Sequence, residues 1–195
     1  APSEPWAIEG AGTQRQDVEA ARELLAAAGY TAGRPLEIIA FVERAEFADV
    51  APVIQENLKS VGIPVTIRTT EYAAVEPDLL AGNYDMVLSQ RIRLIDIADP
   101  IGFHTADYTC QGTYNLSHFC DEDYDKLIAQ AARTADAEER YRLYGEAGRI
   151  LEEEAVNVWL VNEQAIDAVR ADLQSYSQDP LSRYVLRAET AKRGS

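Results

Sequence analysis

With 195 residues, 47% hydrophobic and 26% charged, the chain is long and apolar enough to bury a real core, and it has no apolar run near the roughly 20 residues of a membrane-spanning helix. Eighteen Lys and Arg against 33 Asp and Glu leave a formal charge of −15, read as a surface solubility or habitat adaptation; its field repels phosphate backbones and anionic membranes, which excludes nucleic acid as a partner. The opening residues Ala1 to Trp6 carry neither a basic n-region nor an apolar h-region nor an initiator Met, which fits a processed mature protein or a fragment of a longer chain.

Residues 1–16 mix Pro, Gly, Ser and Gln without period and read as a lead-in or linker. Asp17 is placed to cap a helix that runs to the terminating Gly29. A short β-branched run, Leu36 to Phe41, is followed by a helix from Phe47 to Val61 closed by Gly62, and then by the half-buried alternation of Ile63 to Thr69; together they make a β-α-β unit. A short helix over Ala74 to Ala81 and a third strand over Tyr84 to Ser89 continue the pattern. Strands separated by helices of this length predict an α/β fold, a largely parallel or mixed sheet flanked by helices.

From Asp99–Pro100 to Cys120 the period dissolves into a long loop, and its aromatic residues Phe103, Tyr108, Tyr114 and Phe119 argue for order rather than disorder. Helices follow over Glu122 to Arg133 and Ala137 to Glu153, the second capped by Asp136. Strand-like runs over Val156 to Val161, Ala165 to Val169 and Leu173 to Ser177 precede a polar tail. The predicted organisation is a lead-in at 1–16, an α/β lobe at 17–186 and a tail at 187–195.

In open α/β sheets ligands bind beyond the carboxyl ends of the strands, which singles out the loops after Phe41 and Gln90. Arg44 in the first can meet a carboxylate with a bidentate fork, while the second offers Arg91, Arg93 and Asp96, the last suited to an ammonium group. The competing reading is that these are solvated loop charges or pair with one another. Asp99, ahead of Pro100, reads as a backbone-bonding turn residue. Cys110 and Cys120 invite a disulfide in an oxidising compartment, worth about 2–3 kcal/mol for so short a loop. With His104 and His118 they also make up a two-Cys, two-His ligand set, although their order and spacing match no zinc-finger pattern. No nucleophile elbow, phosphate loop or metalloprotease motif occurs, so neither catalysis nor a cofactor is expected.

Several segments resemble the second lobe of the family 5 solute-binding proteins, the oligopeptide, dipeptide and nickel receptors of ABC importers. The helix over Ala21 to Tyr30 is similar to the one that opens that lobe, Ile54 to Ile63 to its helix-to-strand passage, and Gly82-Asn83-Tyr84-Asp85-Met86 to its turn into a strand. Asp96-Ile97-Ala98-Asp99-Pro100 matches the family's Asp-x-x-Asp-Pro, and Cys110 to Cys120 resembles the disulfide loop of the dipeptide receptors. The resemblance implies a periplasmic-binding-protein type II lobe, a carboxy-terminal one, that captures peptides by closing against an amino-terminal lobe and delivers them to an ABC transporter permease. It also implies a periplasmic or extracellular location, with or without a lipid anchor.

By the same resemblance Asp96 receives the ligand's amino terminus and Arg44 its carboxylate. Ile92 and Arg93 stand where the family often has Gly-Trp, so a cation replaces a flat aromatic wall. That departure points to an anionic solute or one larger than a plain dipeptide. The two arginines near Asp96, Arg91 and Arg93, would suit a receptor for nickel chelates or opine-like solutes, and a sensor that uses the same lobe without transport is a separate alternative.

Overall fold

The strand β1, Leu36–Phe41, has its last four residues buried, and it is buried because it lies in the middle of a sheet. A computed structural model describes residues 4–8, 16–91, 99–162, 166–177 and 190–192. Ahead of β1 lies α1, Val18–Ala27, where the Asp17 carboxylate accepts the Ala20 N–H at 2.9 Å as the sequence predicts. Next comes α2, Phe47–Ser60, and the chain reverses at Gly62, whose φ of 93° an L side chain would resist. The strand β2, Val65–Thr70, then pairs parallel with β1, Leu36 opposite Val65 and Phe41 opposite Thr70.

After α3, Tyr72–Leu80, the short strand β3, Met86–Val87, pairs parallel with the other side of β1, Ile38 opposite Met86. The order β2-β1-β3 sets all three carboxyl ends on one edge. β3 is shorter than the predicted Tyr84 to Ser89. Asp85, just before it, joins the starts of β1 and β3, because its carboxylate takes a two-pronged bond from Arg34 and accepts the Glu37 N–H at 2.9 Å. The bond from Arg34, aided by that N–H, pulls the Asp85 carboxyl down to about 2. The Asp of the Gly-x-Tyr-Asp-Met turn thus closes the sheet.

The first core packs Ile38, Ile39, Ala40 and Phe41 against Phe47 and Ala51 of α2 and Val75 and Leu79 of α3. A second core lies between two further helices, where Tyr124, Ile128 and Ala131 meet Leu143, Tyr144, Ala147 and Leu151. Both helices begin on an aspartate cap: Asp121 accepts the Tyr124 N–H and Asp136 the Glu139 N–H. The lead-in is more than a spacer, because Trp6 packs on Tyr141 with ring centroids 5.4 Å apart.

Two expectations need correction. The stretch predicted as one irregular loop contains α4, Ile101–Phe103, running on into a π turn, His104–Tyr108. The helices of the second core are then α5, Glu122–Ala131, and α6, Ala137–Glu153. Nor do the apolar runs after α6 form the predicted strands. Among the described residues, 156–162 and 166–170 enter no ladder, and Ala165 lies outside that set. Only β4, Leu173–Gln174, pairs, antiparallel to β5, Ala191–Lys192. Val158, Val161 and Ile166 are 80%, 83% and 87% exposed, so a strand-forming sequence stands here without a described neighbour to pair with.

Gly82 ends α3 with φ 73°, and a Cβ there would sit 2.9 Å from the His118 ring. His118 can swing aside, so the backbone conformation sets the cost: Gly82→Ala is expected to lose about 1 kcal/mol in urea denaturation, and an unchanged midpoint would contradict the assignment.

Candidate functional site

Because the strands run parallel, the carboxyl ends of β1 and β3 face the same way, and beyond them opens a cavity of about 430 Å³. Its floor is aromatic: Phe41, from the end of β1, meets Tyr72 edge-on at 5.2 Å and Phe47 at 6.1 Å. Glu43 and Arg44 stand at the rim on the loop after β1. Glu43 is occupied, its carboxylate accepting the Tyr72 N–H at 3.0 Å and so capping α3, whose own cap residue Glu71 makes no side-chain bond to the helix. Arg44 is half-buried, and among the described residues no side-chain hydrogen bond or ion pair engages its guanidinium.

The facing wall comes from the π turn and the loop between the cysteines, through Asp107, Tyr108, Tyr114, Leu116 and Ser117. Arg91 reaches across to it. Its Nε donates to Asp107 Oδ2 at 2.7 Å and a terminal nitrogen donates to Oδ1, while the guanidinium lies 4.5 Å from the Tyr114 ring centre and 5.8 Å from that of Phe103. Asp107 is only 8% exposed; burial pushes its carboxyl up, and the Arg91 hydrogen bond and charge oppose that without cancelling it. Arg91 therefore lines the cavity with its charge already matched.

Of the four ligand-contact candidates, the structure brings Arg44 and Arg91 to one cavity and commits Arg91 to Asp107. Arg93 and Asp96 lie outside the described residues. Asp107, Tyr108 and Asn157 escaped sequence reasoning as site residues; Asn157 donates to the Tyr108 hydroxyl at 2.8 Å, and burial pushes that phenol up to about 12, which keeps it a neutral hydrogen-bonding group. The cavity thus presents aromatic faces, hydroxyls and one uncommitted guanidinium, and among the described residues it is lined by neither histidine nor cysteine.

Cys110 and Cys120 form a disulfide, with Cα atoms 4.4 Å apart, and among the described residues no metal-ligating cluster occurs. The two-Cys, two-His alternative is thereby set aside. His104 instead sits behind the wall, its Nδ1 2.7 Å from the Tyr124 hydroxyl and its ring stacked on Tyr144 at 5.2 Å. Beside it Asp99 fulfils its expected turn role by accepting the Ile101 N–H at 3.0 Å, and it also receives the Tyr144 hydroxyl and, at 2.8 Å, Arg140 Nε from α6.

Burial lowers the His104 pKa from 6.5 to about 4, and the charge of Asp99 only partly opposes this. A base depressed in the folded state binds its proton more readily when unfolded, so stability rises with pH across that window and falls on acidification. We expect unfolding free energy to drop by about 2–3 kcal/mol between pH 6.5 and 4, and His104→Gln to flatten the slope. Equal slopes for both proteins would refute the assignment.

A cavity at the carboxyl edge of an α/β sheet lies where ligands bind in such folds. Residues 1–115 match the profile of the bacterial extracellular solute-binding proteins, family 5, middle region, and the chain belongs to that family. It is 31% identical over 172 residues to Di/tripeptide-binding protein 2 of Pseudomonas aeruginosa, covering 85% of this chain and 32% of that protein. It is 25% identical over 174 residues to the nickel-binding protein NikA of Staphylococcus aureus, covering 88% of this chain and 35% of that one. Among solved structures, the ABC transporter-associated periplasmic binding protein DppA of Helicobacter pylori, in complex with the peptide STSA, superposes with a TM-score of 0.71 at 28% identity over 80% of this chain and 31% of its own. The fold is thus that of a type II periplasmic-binding-protein lobe, and the chain spans about a third of the length of these relatives, 32% of the first.

Proposed function

We propose that this chain is the carboxy-terminal ligand-binding lobe of an extracytoplasmic receptor that captures short peptides for an ABC importer, by closure against an amino-terminal lobe and without bond chemistry. The observation that carries the reading is the aromatic cavity with Arg44 as its uncommitted cation, in a chain whose relatives include di/tripeptide-binding proteins. Arg44 holds the peptide carboxylate through a two-pronged bond, and Phe41, Phe47 and Tyr72 receive an apolar side chain; by the family resemblance Asp96 takes the ammonium end, and Arg93 is a further ligand contact. Arg91 contributes by fixing the wall. The apolar run at Val158, Trp159, Leu160 and Val161, exposed among the described residues, supports the second lobe, since contiguous exposed apolar surface marks an interaction face. Among the described residues no helix is long and apolar enough to cross a membrane; periplasmic or cell-surface placement follows from the family reading.

The nickel-binding relative keeps a second reading alive, a receptor for nickel chelates or opine-like anions. The pairing of Arg91 with Asp107 weighs against it, because one of the cations that suggested an anionic solute is already neutralised. Calorimetric titration of the full-length protein with a dipeptide and with a nickel–histidine chelate separates the two. Peptide binding weakened about ten-fold or more by Arg44→Ala supports the first. Chelate binding with no peptide binding would replace it with the second.

A further inference from the structure

The cavity's facing wall is carried by the loop between the cysteines, through Tyr114, Leu116 and Ser117. Some of its anchors fix single points: Tyr114 N–H donates to Ala106 O at 2.9 Å, Tyr84 hydroxyl to Leu116 O at 2.7 Å, and Cys110 N–H to the Asp125 carboxylate at 3.1 Å. Two features span the neck of the loop. One is the disulfide. The other is Asn115, whose side-chain nitrogen donates to Thr109 O at 3.1 Å and to Phe119 O at 2.6 Å. Those carbonyls belong to the residues immediately before Cys110 and Cys120, so the amide ties the two arms where the sulfurs tie them. Both partners are acceptors, which fixes the amide's orientation, and its oxygen accepts the Ser117 hydroxyl at 2.9 Å, so both of its N–H donors and its oxygen are used.

We propose that Asn115 is a positioning residue that duplicates the disulfide without covalent chemistry, holding the cavity wall in place whichever redox state the two sulfurs are in. Either tie closes the same short loop, and with one in place the other adds little, because the arms are already together; losing both lets the arms part and leaves the wall on its single-point anchors. Its consequence for ligand affinity rests on the peptide-binding reading above. Its consequence for the loop does not.

The test is peptide-level hydrogen exchange over residues 111–119 of the full-length protein, for wild type, Asn115→Ala, the pair Cys110→Ser with Cys120→Ser, and all three together. Ser117→Ala, which removes the bond to the amide oxygen and the 3.3 Å bond from the Phe119 N–H but leaves both bonds across the neck, is the control for exchange. Each tie removed alone is expected to speed exchange by less than about three-fold, and the two together by about thirty-fold or more, beyond the product of the separate effects. The affinity for a dipeptide should follow the same pattern. An effect of about ten-fold from the cysteine pair alone, or a combined effect equal to the product, would overturn the proposal. The expected exchange pattern without any dipeptide binding would uphold Asn115 and defeat the peptide reading instead.

Discussion

Replacing Tyr124 with alanine is expected to destabilise the chain by about 4 kcal/mol, the cost of emptying a fully buried aromatic site that cannot collapse. Tyr124 has no exposed surface, meets Phe119 edge-on at 5.6 Å and Tyr108 at 6.4 Å, and bonds His104 through its hydroxyl. It therefore supports from beneath both the π turn and the end of the disulfide loop, the two pieces that make the cavity wall. Tyr124→Phe, which keeps the ring and drops the hydroxyl, should cost about 1 kcal/mol. Chemical denaturation of both variants separates packing from hydrogen bonding. Equal losses would place the weight on the hydroxyl and contradict the packing account.

Asp99→Ala should cost about 3 kcal/mol, a fall in Tm of about 10 °C for a chain of this size. The loss has three sources: the Ile101 N–H loses its acceptor, the buried Tyr144 hydroxyl loses its partner, and Arg140 is left partly buried without a counter-charge. The pair is only partly shielded, with the side chains of Arg140 and Asp99 23% and 29% exposed, so the Coulombic share is small and the stranded polar groups dominate. Burial pushes the Asp99 carboxyl up, but the bonds from Tyr144, the Ile101 N–H and Arg140 outweigh it and leave it below the usual carboxylate range. That contribution is present above the ordinary carboxylate pKa and is lost as pH falls through the lowered one. Asp99→Asn keeps the two contacts at Oδ1 but turns Oδ2 into an N–H donor facing Arg140 Nε, so it gives up the charge and the Arg140 bond, and about 2 kcal/mol is expected. A loss for Asp99→Ala no larger than for Asp99→Asn would show that Asp99 does not anchor α6.

Much of this architecture could be read in advance because its signals are local. Leu36–Phe41 matches the predicted strand residue for residue, and Asp17 and Asp136 cap the helices they were expected to cap, since β-branched runs and cap chemistry act within a turn of the residues that carry them. The π turn at His104–Tyr108 escaped because five residues hold less than two turns of period, and it is held by distant partners, Arg91 on Asp107 and Tyr124 on His104. The apolar runs after α6 misled for the opposite reason: their composition is that of strands, but pairing needs a neighbour, and among the described residues Val158 and Val161 have none.

The site divides in the same way. Arg44 followed from the rule that parallel sheets bind at their carboxyl edge, and the structure sets it on the cavity rim. That Arg91 is neutralised could not be read, because Asp107 lies 16 residues further on, in a stretch without period. The cysteine pair was legible as a disulfide, whereas the duplicate tie at Asn115 becomes visible only once Thr109 and Phe119 are seen to face the same amide.

Native mass spectrometry of the gently purified full-length protein tests peptide capture most directly, since two lobes closed on a ligand should carry it through purification. Co-purifying short peptides are predicted, released on unfolding and lost from the Arg44→Ala protein. A bound nickel chelate in their place, or peptides retained unchanged by Arg44→Ala, would contradict peptide capture through Arg44.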